Sequence, residues 1–467
     1  MHPCVPKVRR EVNALGSPTD SVLGLRRSLA PVAVHDGSAT VKGCDMSQVA
    51  TSDEILGLNQ AGGDAAGNAQ ALPSAQPHAI VILGAGGDLA KKKTYPALLL
   101  LHMHGKLPQS RIWGVDRVAM DTQAFRQKIL GHGHLQKHAG SNGATVLETF
   151  MNKLVYFQAQ VDSKDDFDRL NSEICAWEPS ANRMFYLAIP PSVFGAAVAS
   201  IKAKAMATSG EGRWTRVIVE KPFGRDLATS NALSNTLGKL LAEAQIYRID
   251  HYLGKEMVQN LSVVRFANAM FEPMWNRHHI ASVSVTFKED ITVEGRAGYF
   301  DKIGLIRDVM QNHLLQLVTL IAMEPPVTLS SEDIRNKKVE VLRAMKPLTL
   351  ADVVLGQYEG YTFDPDVPSN STTETFAQAI FSIESNRWRG VPFIVKCAKA
   401  VNERKCEIRV QFEESPLPYY RDNCEETLGG ISRQGANRNE MVIRIQPDEA
   451  MYMKTNMKRV GQEGVVS

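Results

Sequence analysis

The stretch that most limits what this chain can become is Ala79-Ile80-Val81-Ile82-Leu83, followed at once by Gly84-Ala85-Gly86-Gly87-Asp88. An unbroken apolar run of strand length predicts a strand buried on both faces, as in parallel sheets. The glycines predict a turn whose backbone can approach a ligand closely, and Leu89-Ala90-Lys91 opens a helix that Asp88 is placed to cap. Strand, glycine turn and helix in this order open a doubly wound α/β sheet, and the helix N-terminus favours a pyrophosphate. Gly84, Gly86, Gly87, Asp88 and Leu89 are therefore the candidate cofactor-binding residues. Leu89 stands where the generic G-x-G-x-x-G pattern has its last glycine, so that pattern is matched only in part.

Further strands follow. Arg111–Val115 reads as the second, with Asp116 and Arg117 at its end. An acid there binds a ribose 2′-hydroxyl and favours NAD, whereas an arginine accommodates the 2′-phosphate of NADP, and both signals stand side by side. Residues 121–180 look amphipathic and mostly helical, and Met184–Ala188 reads as a strand before Pro190-Pro191. Arg216–Val219 runs into Glu220-Lys221-Pro222, a charged pair at a strand's carboxyl end, where such sheets bind ligands. From about residue 249 the alternation of strand and helix stops. Ala281–Phe287, Phe376–Ile383, Phe393–Lys396, Glu407–Phe412 and Met441–Ile445 read as strands of a large, mainly antiparallel sheet in an α+β domain.

The segment Arg248-Ile249-Asp250-His251-Tyr252-Leu253-Gly254-Lys255-Glu256 crowds charge around one aromatic hydroxyl. It suits a pocket in which His251, Tyr252 and Lys255 converge on a phosphate and Asp250 orients a distant base. A solvated turn with scattered charge fits the same residues. Gly304–Met323 predicts a helix, with Ile306, Val309, Met310, Leu314, Leu317, Val318 and Ile321 at helical spacing. His313 lies beside that seam, and spacing alone favours a packed core histidine over a catalyst. On an ideal α-helix Asp308 points about 140° away from His313, an awkward place from which to orient it.

Composition narrows the class. A net charge of +3, from 53 basic and 50 acidic residues, leaves no footprint for nucleic acid or a membrane surface. There is no apolar run of about 18 residues. Six scattered cysteines with no CxxC pair suggest reduced thiols, and no Cys/His spacing suggests a metal site. Residues 1–77 are rich in small and polar types and read as a disordered extension without a secretory h-region.

Several motifs taken together resemble the glucose-6-phosphate dehydrogenases: GAGGDLAKKK at 84–93, EKPFG at 220–224, RIDHYLGKE at 248–256, FKE at 287–289, RDVMQNHLLQ at 307–316, NERK at 402–405 and RNEMVIRIQP at 438–447. The resemblance runs from about His78 to Val460. It implies an NADP-binding Rossmann-like domain over 78–248 and an α+β substrate-binding and dimerisation domain over 249–467. It implies oxidation of glucose 6-phosphate by NADP in a cytoplasmic enzyme, an organellar fraction remaining open, built as a homodimer or homotetramer. Catalysis falls to His313 with Asp250. Substrate binding falls to Lys221, His251, Tyr252, Lys255, Glu289, Asp308, Lys399, Arg404 and Gln446. Arg117 takes the family's 2′-phosphate position, and Lys221 also borders the cofactor. Some members bind a structural NADP near positions matching Lys396, Lys405, Arg409 and Arg444. The chain departs from the pattern at Gly86, where many relatives have a serine, and at Ala398, where glycine is usual. Relatives run well beyond Ser467, so the second domain is expected to be incomplete. Two alternatives stay open: another sugar oxidoreductase built on the EKP lysine, and a weakly active or non-catalytic homologue that binds NADP or pairs with a full-length subunit.

Overall fold

A computed structural model describes residues 76–456, apart from 108, 141–142, 208–209, 211, 415–426, 429–430 and 433–437. The expected disorder of the N-terminal extension, Gln76 and Pro77 excepted, lies outside the described residues, and so does the expectation for residues 461–467. The chain divides into two compact units between Gly254 and Lys255.

The first unit is a six-stranded parallel sheet of β1 (His78–Leu83), β2 (Ser110–Asp116), β3 (Leu154–Gln158), β4 (Asn182–Leu187), β5 (Thr215–Val219) and β6 (Ile246–Arg248). Its order, β3-β2-β1-β4-β5-β6, is that of the doubly wound dinucleotide-binding fold. The apolar run of β1 is explained by burial on both faces. Ala79, Val81 and Leu83 join a core with Phe167, Leu170 and Ile174 of the helix Lys164–Trp177 and with Phe194, Val198 and Ile201 of the helix Phe194–Lys204. Ile80 and Ile82 face the other way, into Tyr95, Leu99, Phe125 and Ile129. Each such side chain stabilises the unit by about 1.5–3 kcal/mol of transfer free energy. Within 121–180 the structure is mostly helical, as expected, and adds one edge strand, Leu154–Gln158. A five-residue apolar run is too short for periodicity to separate strand from helix.

The second unit holds a seven-stranded sheet of β7 (Ile280–Lys288), β8 (Val353–Gly356), β9 (Phe376–Phe381), β10 (Phe393–Ala398), β11 (Lys405–Phe412), β14 (Glu440–Gln446) and β15 (Ala450–Lys454). Two-residue strands β12 (Thr427–Leu428) and β13 (Ile431–Ser432) pair separately. In the order β15-β14-β11-β7-β10-β9-β8 every pairing is antiparallel except that of β7 with β10. Alternation places Val283, Val285 and Phe287 inside, while Ser282, Ser284 and Thr286 stay half-exposed on the other face.

The predicted helix over 304–323 is two elements. Ile306–Leu314 is a π-helix, and Leu315–Ala322 continues it as an α-helix. The last carbonyls of that α-helix are buried and would be orphaned without partners. Arg265 donates to Leu320 O (2.9 Å) and Met323 O (2.7 Å), Trp275 Nε1 to Ile321 O (2.9 Å) and Trp388 Nε1 to Ala322 O (2.8 Å). Arg265 sits on the helix Glu256–Ala267 and is only 1 % exposed. A basic side chain at a helix C-terminus also answers the negative end of its dipole. Arg387 locks the same corner: Nη1 donates to Trp275 O (2.7 Å), Nη2 to Glu272 (2.7 Å) and Nε to Glu324 (2.9 Å). The helix bearing His313 therefore runs into an end held by three buried side chains.

Candidate active site

Candidate site residues lie in both units. In the first, the glycine turn lies at the carboxyl end of β1, beside β4, where the strand order reverses. This is the switch point at which such sheets bind ligands. Gly84 has φ +81°, and a Cβ there would strike the backbone carbonyl of Ala188. Gly84 and Ala85 N–H both donate to Val115 O, at 2.9 and 3.1 Å, and Gly87 N–H donates to Gly84 O at 3.0 Å. Tyr95 Oη donates to Ala85 O at 3.3 Å, and burial pushes its hydroxyl pKa well up, so it stays a donor. The result is a tight cradle without side chains, which fits a dinucleotide pyrophosphate.

Asp88 does not cap the following helix. It pairs instead with Lys92 (2.7 Å) and Lys91 (3.4 Å), and these bonds hold its carboxyl below the usual carboxylate range. The helix opens with an α-type bond from Lys91 N–H to Gly87 O (3.1 Å) and passes into a π-turn at Ala90–Thr94, without a side-chain cap. Leu89 itself is exposed.

At the end of β2, Asp116 Oδ2 accepts from Gly86 N–H (3.1 Å) and Oδ1 from Arg117 N–H (2.8 Å), so both carboxylate oxygens are engaged by backbone. Arg117's side chain is exposed at the same strand end. Beyond β5, Glu220 accepts from Tyr186 Oη, whose pKa is raised by burial and then by that bond. Sequence reasoning missed Tyr186, because nothing local signals a partner 34 residues away. Lys221 follows, half-buried, before Pro222. In the turn after β6, Asp250 Oδ1 accepts from Tyr252 N–H at 3.0 Å. Tyr252 is 3 % exposed, and its ring lies 5.2 Å from that of the exposed His251.

In the second unit Lys255 is the N-cap residue of Glu256–Ala267, half-buried at the positive end of a 12-residue helix. Glu289 and Lys399, both expected to meet substrate, form an ion pair with each other. Lys399 Nζ also lies 5.4 Å from the centroid of Phe300. Backbone bonds hold the pair in place: Glu289 N–H donates to Ala398 O (2.9 Å), Lys399 N–H to Thr375 O (2.9 Å) and Val401 N–H to Glu289 O (3.2 Å). Ala398 sits in a regular strand, and the positive φ, 53°, falls on Ala400 instead. The backbone at 398 therefore accommodates an alanine. Arg404 is exposed before β11, and Gln446 ends β14 opposite Cys406.

His313 is 3 % exposed, with its backbone N–H bonded to Asn312 Oδ1 at 2.7 Å. The π-helix overturns the α-helical premise used for Asp308. Bonding from i to i+5 winds about 4.4 residues into a turn, which puts residues five apart within about 50° of one another. Asp308 and His313 therefore share a face. Glu374 fixes the start of this element: its side chain accepts from Ile306 N–H (3.0 Å) and its carbonyl from Leu305 N–H (3.2 Å). Asp308's charge, after burial, raises the Tyr299 hydroxyl. The contacts of Glu374 and of Tyr299 and Phe300 on the helix Ala297–Phe300 were not legible in the sequence, since their partners lie on other elements.

Of the basic residues Lys396, Lys405, Arg409 and Arg444, two are paired with carboxylates. Lys405 pairs with Glu407 (3.2 Å), Arg409 with Glu407 (2.5 Å) and Glu440 (3.2 Å), and Arg444 Nε donates to Asp448 O (2.9 Å). Lys396 is half-buried, which lowers its pKa, with Lys288 adding to the shift. Among the described residues no helix is long and apolar enough to cross a membrane.

Comparison with known proteins supplies the family. Residues 81–260 match the model of the glucose-6-phosphate dehydrogenase NAD-binding domain, and residues 262–467 match that of the C-terminal domain. The chain is 48% identical over 391 residues to the cytoplasmic glucose-6-phosphate 1-dehydrogenase 6 of Arabidopsis thaliana, covering 82% of this chain and 73% of that protein. It is 47% identical to the Dictyostelium discoideum enzyme, over 83% and 77% of the two chains. A chloroplastic form from Spinacia oleracea is 46% identical, over 82% and 67%. A glucose-6-phosphate dehydrogenase solved with its substrate glucose 6-phosphate superposes with TM-score 0.74 at 40% identity, over 83% of this chain and 79% of that one. The Mycobacterium avium enzyme gives 0.72 at 33% identity, over 83% and 80%.

Proposed function

The chain belongs to the glucose-6-phosphate dehydrogenase family, and on that premise we propose that it oxidises D-glucose 6-phosphate to 6-phospho-D-glucono-1,5-lactone with NADP, the first step of the oxidative pentose phosphate pathway. The observation that carries this reading is that the two family matches together include every proposed site residue. NADP, held at the Gly84–Gly87 cradle and by Arg117, supplies the hydride acceptor. His313 takes the proton of the C1 hydroxyl, and its burial limits competition from bulk water. Asp250 orients the imidazole and stabilises its charged form. Lys255, His251 and Tyr252 hold the 6-phosphate. Lys221, Glu289, Asp308, Lys399, Arg404 and Gln446 hold the ring hydroxyls and position C1. The Glu289–Lys399 pair can both donate to and accept from a sugar hydroxyl without rearranging its backbone.

The π-helix favours a second assignment, in which Asp308 rather than Asp250 orients His313. Asp250→Asn and Asp308→Asn separate the two: the orienter loses kcat, whereas a hydroxyl ligand mainly raises KM. We further infer a cytoplasmic homodimer or homotetramer, checked by fractionation and by sedimentation of the purified chain. The function itself is tested by NADPH absorbance with glucose 6-phosphate, against glucose and NAD as controls. Turnover of glucose as fast as of its phosphate would favour a different sugar oxidoreductase. Binding of NADP without turnover would favour a non-catalytic homologue.

A further inference from the structure

We propose that the first unit carries a second anion site, remote from the glycine turn, that takes a small organic oxyanion bearing a flat ring. A cavity of about 400 Å³ opens where β5 begins, among Met206, Arg213, Trp214, Arg216, Ala244 and Gln245. That volume lies within the range of about 300–1,000 Å³ usual for small-molecule sites. Because the sheet is parallel, this cavity is at the amino ends of the strands and the glycine turn is at their carboxyl ends. A strand of six residues separates those ends by roughly 20 Å, so the cavity is not an extension of the dinucleotide cradle.

The recognition group is Arg216. Its guanidinium carbon lies 4.1 Å from the centroid of Trp214 and 5.3 Å from that of Tyr247, so aromatic faces flank it. His78 backs Trp214, with ring centroids 5.4 Å apart. Stacking holds a guanidinium in one plane and leaves its N–H edge for a carboxylate or phosphate. Among the described residues no carboxylate pairs with Arg216, unlike Arg387 and Arg409, each of which meets two. Arg213 adds a second positive charge to the lining. The polar side chains beside them are already engaged: Thr215 Oγ1 accepts from Ala207 N–H (2.8 Å) and Gln245 Oε1 from Ala242 N–H (3.0 Å). Charge recognition therefore falls mainly to Arg216, since the charge of Arg213 also acts on Glu178, and Met206, Ala207 and Ala244 line the cavity with apolar surface for the ligand's ring.

The inference does not depend on the proposed reaction. The test is calorimetric titration of the full chain with phenyl phosphate, in the presence of excess glucose 6-phosphate and NADPH, which occupy the other anion sites without turnover. One-to-one binding is expected, with phenol binding far more weakly. Arg216→Met should weaken phenyl phosphate by about ten- to a hundredfold, the loss of one charge-assisted hydrogen bond, with NADP affinity unchanged. Ala244→Asp places a carboxylate in the cavity from an exposed position and should have the same effect, and it decides the matter if the arginine variant does not fold. No saturable binding in the loaded protein, or equal binding by native chain and Ala244→Asp, overturns the proposal.

Discussion

Replacing Gly84 by alanine should damage the cofactor half of the site far more than its half-buried position in a turn suggests. Two costs add. A residue with a Cβ at φ +81° carries about 1–2 kcal/mol of left-handed strain. The new Cβ would also meet the carbonyl of Ala188, with Ala188 C at 3.0 Å and Ile189 Cγ2 at 3.1 Å. That carbonyl cannot simply retreat, because Ala188 N–H is bonded to Leu83 O at 3.0 Å and ties β4 to β1. Overpacking against a fixed backbone costs roughly 1–3 kcal/mol, for a total of about 2–5 kcal/mol. In a unit of this size each kcal/mol moves the melting midpoint by about 2–4 °C, so Gly84→Ala should melt roughly 4–20 °C lower. Surviving folded protein should bind NADP at least about tenfold more weakly, since the turn must shift off β4. Gly86→Ala is the milder comparison for stability: its Cβ meets side-chain ends, Asp116 Oδ2 at 3.0 Å and Lys128 Nζ at 3.6 Å, and a shift of the Asp116 carboxylate, at the expense of its bond from Gly86 N–H, relieves the contact. The measurements are differential scanning calorimetry and NADP titration by NADPH-competed fluorescence. A Gly84→Ala protein that melts within about 2 °C of the native chain and binds NADP normally would refute the claim that β4 closes against this turn.

His313→Asn should lower kcat by about 10²–10⁴-fold with little change in KM, the usual size of general-base catalysis, and near-native turnover would remove His313 from the mechanism. Lys255→Ala should raise KM for glucose 6-phosphate by about ten- to 150-fold, for the loss of a charge-assisted bond, and leave turnover of glucose alone; equal effects on both sugars would end its phosphate role. Arg117→Ala should weaken NADP far more than NAD in direct binding assays, whereas equal losses would point back to Asp116. Glu324 is held below its ordinary value of 4.5 chiefly by its hydrogen bond from Arg387. A carboxylate depressed on folding adds stability above its unfolded value and loses it as pH falls through the lower, folded value. Glu324→Gln should thus melt below the native chain at neutral pH, and the gap should close as pH falls below about 4.5. A gap that stays constant down to acid pH would detach Glu324 from the Arg387 corner.

What the chain's own order of residues determined was local and periodic. Five apolar residues running into glycines and then a helix start predicted a strand buried on both faces and a turn, and Ala79–Leu83 with Gly84 is that. Alternation at Val283, Val285 and Phe287 determined a sheet with one buried face. Tertiary structure alone decided the partners. Glu289 meets Lys399 across 110 positions, Tyr186 meets Glu220 across 34, and Asp116 spends its carboxylate on Gly86 across 30. No spacing rule reaches that far, because each pairing follows from which strands and loops pack side by side. The same holds for the carbonyls of Leu320, Ile321, Ala322 and Met323, capped by Arg265, Trp275 and Trp388 from other elements. The π-helix at Ile306–Leu314 is the clearest case. An apolar seam reads much the same at α or π winding over two turns, so the sequence predicted a helix but not its pitch. That pitch decides whether Asp308 faces His313, and it is imposed by the capped end after Ala322 and by Glu374 at Ile306.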